Sequence, residues 1–213
     1  MPRDTTSLIN IRNIALEMGA TLFIRHEWMD VIDGKLYIAE TGKDKFDWNS
    51  YMTNSYPAKH FELNDDNTIN DPYGRILVFN PEDNSMKVHL EGGTSTIDSK
   101  TNFSNPDCIV KLEKDGKKYL VMSEDLVGTT QNRISKEAIT AGEKYCEVYI
   151  LDMEIENPTV DDLVRFSVSP NGSETTGDCF TPDGKTMFLN IQHPNSKNKS
   201  PFNFSTTVAI QGF

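Results

Sequence analysis

The sequence predicts an all-β protein built from β-propeller blades: about three four-stranded antiparallel units forming a partial propeller, behind a short N-terminal helix. Three observations lead there. An Asp-Gly-Lys turn recurs at Asp33-Gly34-Lys35, Asp115-Gly116-Lys117 and Asp183-Gly184-Lys185, each between apolar runs, and its glycine supplies the positive φ of a tight hairpin. Each unit also opens on an acid, with Glu27, Asp107 and Glu174 falling in matching places at the start of a first strand. Finally, each unit puts its main polar insertion between its second and third strands. The units recur at roughly 70 to 80 residues, the insertions stretching a blade repeat of usually ~40–50. A long-looped β-sandwich is the competing architecture, but it gives no reason for this plan to repeat.

In order along the chain, Thr5 to Ala20 spaces Ile9, Ile11, Ile14, Leu16 and Met18 as a short amphipathic helix would, with Gly19 as its C-terminal cap. Residues 1–24 form this lead-in. The first blade, 25–91, has strands at Glu27–Ile32, Lys35–Ala39, Gly74–Asn80 and Met86–Glu91, interrupted by a polar stretch from Glu40 to Pro72 with no clear periodicity. The second, 104–168, has strands near Cys108–Leu112, Lys118–Met122, Cys146–Asp152 and Leu163–Val168, with an insertion from Glu124 to Lys144. The third, 173–213, has Asp178–Phe180, Thr186–Ile191 and Thr206–Ile210 and stops one strand short.

Composition narrows the function. The 213 residues carry a net charge of −11, and their scattered Lys and Arg form no basic stripe, which argues against a nucleic-acid partner. No apolar run approaches the ~18 residues of a membrane span, and the N-terminus has no signal peptide. Three cysteines, Cys108, Cys146 and Cys179, without a Cys-x-x-Cys spacing indicate neither a disulfide framework nor a structural zinc site. Cys108 and Cys179 read as small core residues. His26, His60, His89 and His193 lack ligand spacing and read as ordinary polar residues, although His26 and His193 flank the expected site.

In a propeller the first strand of each blade lines a central channel, so Glu27, Asp107 and Glu174 are expected to converge at one mouth, under the insertions. Carboxylates on rigid strands, helped by amide oxygens such as that of Asn105, suit a hard cation such as Ca²⁺, which would relieve their mutual repulsion. Arg25, two residues before Glu27, is placed to hold an anionic ligand beside that cation. Glu124 and Asp125 end a second strand on the same side, and Glu124 is a further candidate ligand; the alternative is that it caps the following loop.

Certain blocks resemble the C-terminal half of PhoX-type alkaline phosphatases. They are Gly19-Ala20-Thr21 ahead of Arg25 and Glu27, Asn105-Pro106-Asp107, Ser123-Glu124-Asp125, and Glu174 through Gly184 running on to Asn190-Ile191-Gln192-His193-Pro194. The resemblance implies a metal-dependent phosphatase hydrolysing small phosphomonoesters, with Ca²⁺ and, in the complete protein, Fe³⁺. It implies that Glu27, Asp107 and Glu174 are metal ligands and that Arg25 binds the substrate phosphate. It also implies a periplasmic or extracellular location. His26 stands where the family usually has proline. No counterpart of the family's N-terminal half, with its cysteine ligand, is found here, so the chain is expected to be a fragment or one piece of a split protein, its missing half supplied by another chain. A calcium-binding lactonase-like hydrolase on a six-bladed propeller and a non-catalytic propeller segment are the alternatives.

Overall fold

A computed structural model describes residues 10–47, 56–98, 101–125, 137 and 140–212. After α1 (Ile11–Glu17) and β1 (Thr21–Leu22), the first unit has β2 (His26–Ile32) and β3 (Lys35–Glu40). An insertion carrying β4 (Lys43–Asp47), β5 (Tyr56–Pro57) and β6 (Thr68–Asp71) follows, and then β7 (Arg75–Asn80) and β8 (Ser85–Glu91). A link with β9 (Gly93–Thr94) and β10 (Asn102–Phe103) leads to β11 (Pro106–Lys114), β12 (Lys117–Glu124), β13 (Glu147–Asp152) and β14 (Val164–Val168). The last unit is β15 (Glu174–Phe180), β16 (Thr186–Gln192) and β17 (Thr206–Gln211). These strands form antiparallel meanders β2-β3-β7-β8, β11-β12-β13-β14 and β15-β16-β17, so the described chain is mostly β.

Among the described residues of the expected lead-in, Ile11–Glu17 is helical; residues 1–9, where the apolar spacing begins, lie outside the described residues. Gly19, at φ 82°, ends it by donating its N–H to the Leu16 carbonyl. The polar stretch after Glu40 is not a plain loop, because β4 and β6 pair within it. Its strands escape a hydrophobic pattern search because Phe46 and Ile69 are the apolar side chains they bury, alongside Ile24. Most of the second insertion lies outside the described residues.

Two of the three turns are alike. Asp33 and Gly34, and Asp115 and Gly116, all have positive φ, the pattern of a two-residue type I′ hairpin. The third is longer. Of Asp183 and Gly184 only the glycine is left-handed, Pro182 precedes them, and the loop is closed by Thr181 N–H donating to Thr186 O at 2.9 Å.

The middle sheet explains why its strands read as continuous apolar runs rather than alternating ones. Leu120, Met122, Tyr149 and Leu151 point into a core shared with Ile32, Tyr37, Ala39, Ile76, Val78 and Leu90 of the first sheet. Their neighbours Val121 and Val148 point the other way, onto Met187, Leu189 and Ile191 of the third sheet. β11 packs against both β2 and β15, so the first strands of the three meanders stand side by side. The outer face of the first sheet leaves Met29, Val31 and Met86 exposed.

Glycine substitutions separate a free turn from a crowded one. Gly34→Ala adds a Cβ that meets nothing within 4 Å, so only its left-handed backbone is penalised, by about 1–2 kcal/mol. Gly74→Ala would put its Cβ 2.3 Å from the Glu40 carbonyl oxygen and 2.5 Å from that of Thr41, and should lose at least ~3 kcal/mol. Urea unfolding of the two variants checks this; equal losses would contradict the close approach of the β7 entry to the end of β3.

Candidate active site

The site begins with one irregularity that all three first strands share. His26 pairs with Glu40 but Met29 with Ile38; Pro106 pairs with Glu124 but Ile109 with Met122; Thr176 pairs with Asn190 but Cys179 with Phe188. In each case two residues of the first strand oppose one of the second, a β-bulge that bends the strand and re-aims its side chains. The register makes Glu27 and Asp107 equivalent, each first in its bulge. In the third unit that place belongs to Gly177, where a Cβ would lie 2.7 Å from the Asn190 amide nitrogen. Glu174 therefore reaches the site by another route. It lies three residues upstream, where β15 pairs beyond its bulge through Glu174 and Gln192.

Ahead of the first two bulges the chain is tied down in the same way twice. Arg25 and Asn105 are left-handed, at φ 60° and 52°. Thr41 N–H donates to Arg25 O, and Asp125 N–H to Asn105 O. The Glu40 carboxylate accepts from Ile24 N–H at 2.8 Å, and the Glu124 carboxylate from Ser104 N–H, also at 2.8 Å. Glu124 accepts a further bond from Glu147 N–H, so this candidate ligand is fully buried and engaged with backbone. Glu40 takes its counter-charge from Arg75, which also binds Asp71 and Glu91 and lies 5.0 Å over the Phe61 ring. Asn105 donates its side-chain amide to the carbonyls of Thr41 and Pro72, joining the entries of the first two units.

Arg25, Glu27, Asp107 and Glu174 are brought together, and Asp125 sits at their centre. The Arg25 Nη2 is 2.5 Å from Asp125 Oδ2 and 3.4 Å from Glu27 Oε1. Thr176 Oγ1 donates to Asp107 at 3.0 Å, and the Gln192 amide donates to Glu174. The acids feel one another. Burial raises the Glu27 and Asp107 carboxyls above their ordinary values; Asp125 raises both further, while Arg25 opposes the shift. Glu174 is pushed up to about 7, by burial first and then by the Asp125 carboxylate with which it shares a hydrogen bond. As they stand, no three His, Cys, Asp or Glu side chains among the described residues are close enough to hold one metal ion.

Two of the histidines, His26 and His60, lie against Glu40. His60 bonds Glu40 at 2.8 Å, and His26 stacks its ring 4.3 Å from Phe23 with Nε2 3.8 Å from Glu40. Burial and a Coulombic push from Asp178 drive the Cys108 thiol up to about 12, and Cys146 is buried too; Cys179, read from the sequence as a core residue, is exposed. Alternation hides this, because the bulge shifts Cys179 off the buried face.

Together these features define a β-sheet protein with an arginine set among hard-oxygen carboxylates at the entries of adjacent meanders. The chain belongs to the PhoX alkaline phosphatase family, whose profile matches residues 2–195. It is similar in fold to the structure of Pseudomonas fluorescens PhoX in complex with vanadate, a transition-state analogue, with a TM-score of 0.64 and 22% identity. That match covers 96% of this chain but only 36% of the PhoX chain. A search of curated proteins returns no match.

One buried acid behind the site gives a pH test. Asp178, 4% exposed, accepts from Ser123 Oγ through one carboxylate oxygen, and burial pushes it up to about 6. Because its folded value lies above its unfolded one, the protonated form is favoured by folding, and that stability is lost as pH rises from about 4 through about 6. Asp178→Asn removes the loss. The variant should be more stable than the parent by on the order of 2–3 kcal/mol at pH 7.5 and no more stable at pH 4, measured by urea unfolding at both pH values. A variant destabilised equally at both would contradict a buried proton on Asp178.

Proposed function

We propose that this chain carries the carboxylate and arginine part of a metal-dependent phosphomonoesterase site acting on small phosphorylated substrates. The observation that carries the reading is the gathering of Glu27, Asp107, Asp125 and Glu174 around the single Arg25 guanidinium. The carboxyls of Glu27, Asp107 and Glu174 rise, by burial first and then by the neighbouring carboxylates, and this is a donor set that fits a hard cation such as Ca²⁺. Glu27, Asp107 and Glu174, with Asp125, would hold it. When bound, such a cation supplies Lewis-acid polarisation of the phosphoryl group. Arg25 is placed to turn from Asp125 to the phosphate and to balance the charge that grows on its oxygens. Asp125 and Glu27 hold that guanidinium in place meanwhile, and Thr176 and Gln192 orient Asp107 and Glu174. Glu124, bonded to backbone, is assigned to holding the strand entry. The cysteines do not fit an iron ligand, two being buried and the Cys108 thiol strongly disfavouring its thiolate, and no step is drawn through iron.

In the same reading the meanders are blades of a partial propeller, at 25–91, 104–168 and 173–213, with first strands toward the axis; their adjacency supports this. The family resemblance supports an extracytoplasmic location, and no helix among the described residues is long and apolar enough to cross a membrane. A second reading, binding without turnover, is favoured by the acids standing too far apart to share an ion and by the chain spanning 36% of the PhoX structure. Full turnover would then need residues outside the matched part, including a half supplied by another chain.

Hydrolysis of 4-nitrophenyl phosphate with millimolar Ca²⁺, with and without a chelator, decides between them. The enzyme reading expects chelator-sensitive turnover that Arg25→Ala lowers about 10²–10³-fold in kcat/KM, and a rise in Tm with Ca²⁺. Phosphate binding lost in Arg25→Ala, without turnover, selects the second reading; neither turnover nor binding would contradict both.

A further inference from the structure

A cavity of about 520 Å³, with Arg25 in its lining, is left without a role by the reaction described above. Arg25 thus belongs both to the carboxylate cluster and to the lining of this cavity. Two more cations reach the cavity, Arg12 from α1 and Lys43 from β4. Three positive side chains around one hollow stand out in a chain of net charge −11. Arg25 is already balanced by Asp125 and Glu27, whereas among the described residues no carboxylate lies within ion-pair distance of Lys43. The walls between the cations are apolar, made by Leu22, Phe23 and Phe46. They are also firmly held: Phe46 is buried with Ile24 and Ile69, and Ile24 N–H is fixed by the Glu40 carboxylate. A hollow of this size that combines aromatic walls with a few convergent charges is how small-molecule sites are built.

We propose that this cavity is a subsite for the alcohol portion of the substrate, selecting phosphomonoesters whose alcohol has a ring-sized apolar body and a second negative group, carboxylate or phosphate. Arg25 takes the reacting phosphate, Phe23 and Phe46 flank the body, and Lys43 with Arg12 takes the distal anion. The proposal rests on the phosphomonoesterase reading for the identity of the first group, but the selectivity can be measured without turnover.

The probes are phenylphosphonate and 4-carboxyphenylphosphonate, which cannot be hydrolysed, titrated calorimetrically into the full chain with Ca²⁺ present. The chain should bind the carboxylated probe about 10-fold more tightly. In Lys43→Gln/Arg12→Gln, both exposed positions, that ratio should fall below about 2 while phenylphosphonate affinity stays within about 2-fold, and Lys43→Glu should reverse the preference. No preference in the parent chain, no binding of either probe, or an unchanged ratio in the double variant overturns the subsite. Selective phosphonate binding with no hydrolysis of any ester supports the subsite while removing the phosphatase reading, so the two failures are separable.

Discussion

Everything at the site depends on how the first strands are entered. A strand head is a poor place to fix a catalytic side chain, since its backbone groups are unpaired and its conformation is set by whatever precedes it. Here a buried carboxylate at the end of the neighbouring strand, Glu40 in one unit and Glu124 in the next, accepts the N–H two residues ahead of the strand. This removes a buried unpaired donor and fixes the left-handed residue that follows, Arg25 or Asn105. The bulge then turns the next acid, Glu27 or Asp107, out of the strand's regular alternation. A buried carboxylate is costly unless fully bonded. Glu40 meets that cost with Arg75, His60 and the Ile24 amide, and Glu124 with two amides and further contacts.

The second constraint is packing. Because the middle sheet is buried on both faces, the first and third sheets cannot slide without breaking one of two cores. That lock holds β2, β11 and β15 side by side, and with them acids whose mutual repulsion would otherwise drive them apart. Packing thus holds these acids half-buried and close together, and burial first, then their mutual repulsion, raises the carboxyls of Glu27, Asp107 and Glu174. The cavity lined by Arg25 draws on the same framework, since Ile24 belongs both to its floor and to the Glu40 tie.

Much of this was legible in the residues. Asp33-Gly34 and Asp115-Gly116 state their hairpins outright, and the apolar runs around them mark the paired strands. Glu27, Asp107 and Glu174 announce themselves as an acid that returns near the head of each unit, and Arg25 by standing two residues before the first of them. What stayed hidden has physical causes. A bulge leaves no composition signal, so the sequence aligns Glu174 with Glu27 and Asp107 although register gives that place to Gly177. Alternation decides between Glu124 and Asp125: the first lies under the sheet and the second at the site, and a one-residue choice of face cannot be made before the bulge is known. Arg75 sits in a run that reads as plain strand, and its partners Asp71, Glu91 and Glu40 lie 4, 16 and 35 residues away with no shared spacing. The cavity cations Arg12 and Lys43 likewise come from two elements that no periodicity links.

The central proposal is that acids from successive meanders, too far apart to share an ion as they stand, close around one cation position next to Arg25 when the metal is bound. Crystals of the chain grown with Mn²⁺ in place of Ca²⁺ test it directly through the metal's anomalous scattering. The account predicts an anomalous peak within about 2.5 Å of carboxylate oxygens from Glu27, Asp107 and Glu174. A map with no peak there at saturating Mn²⁺, or with those three carboxylates turned onto separate surfaces, would contradict it.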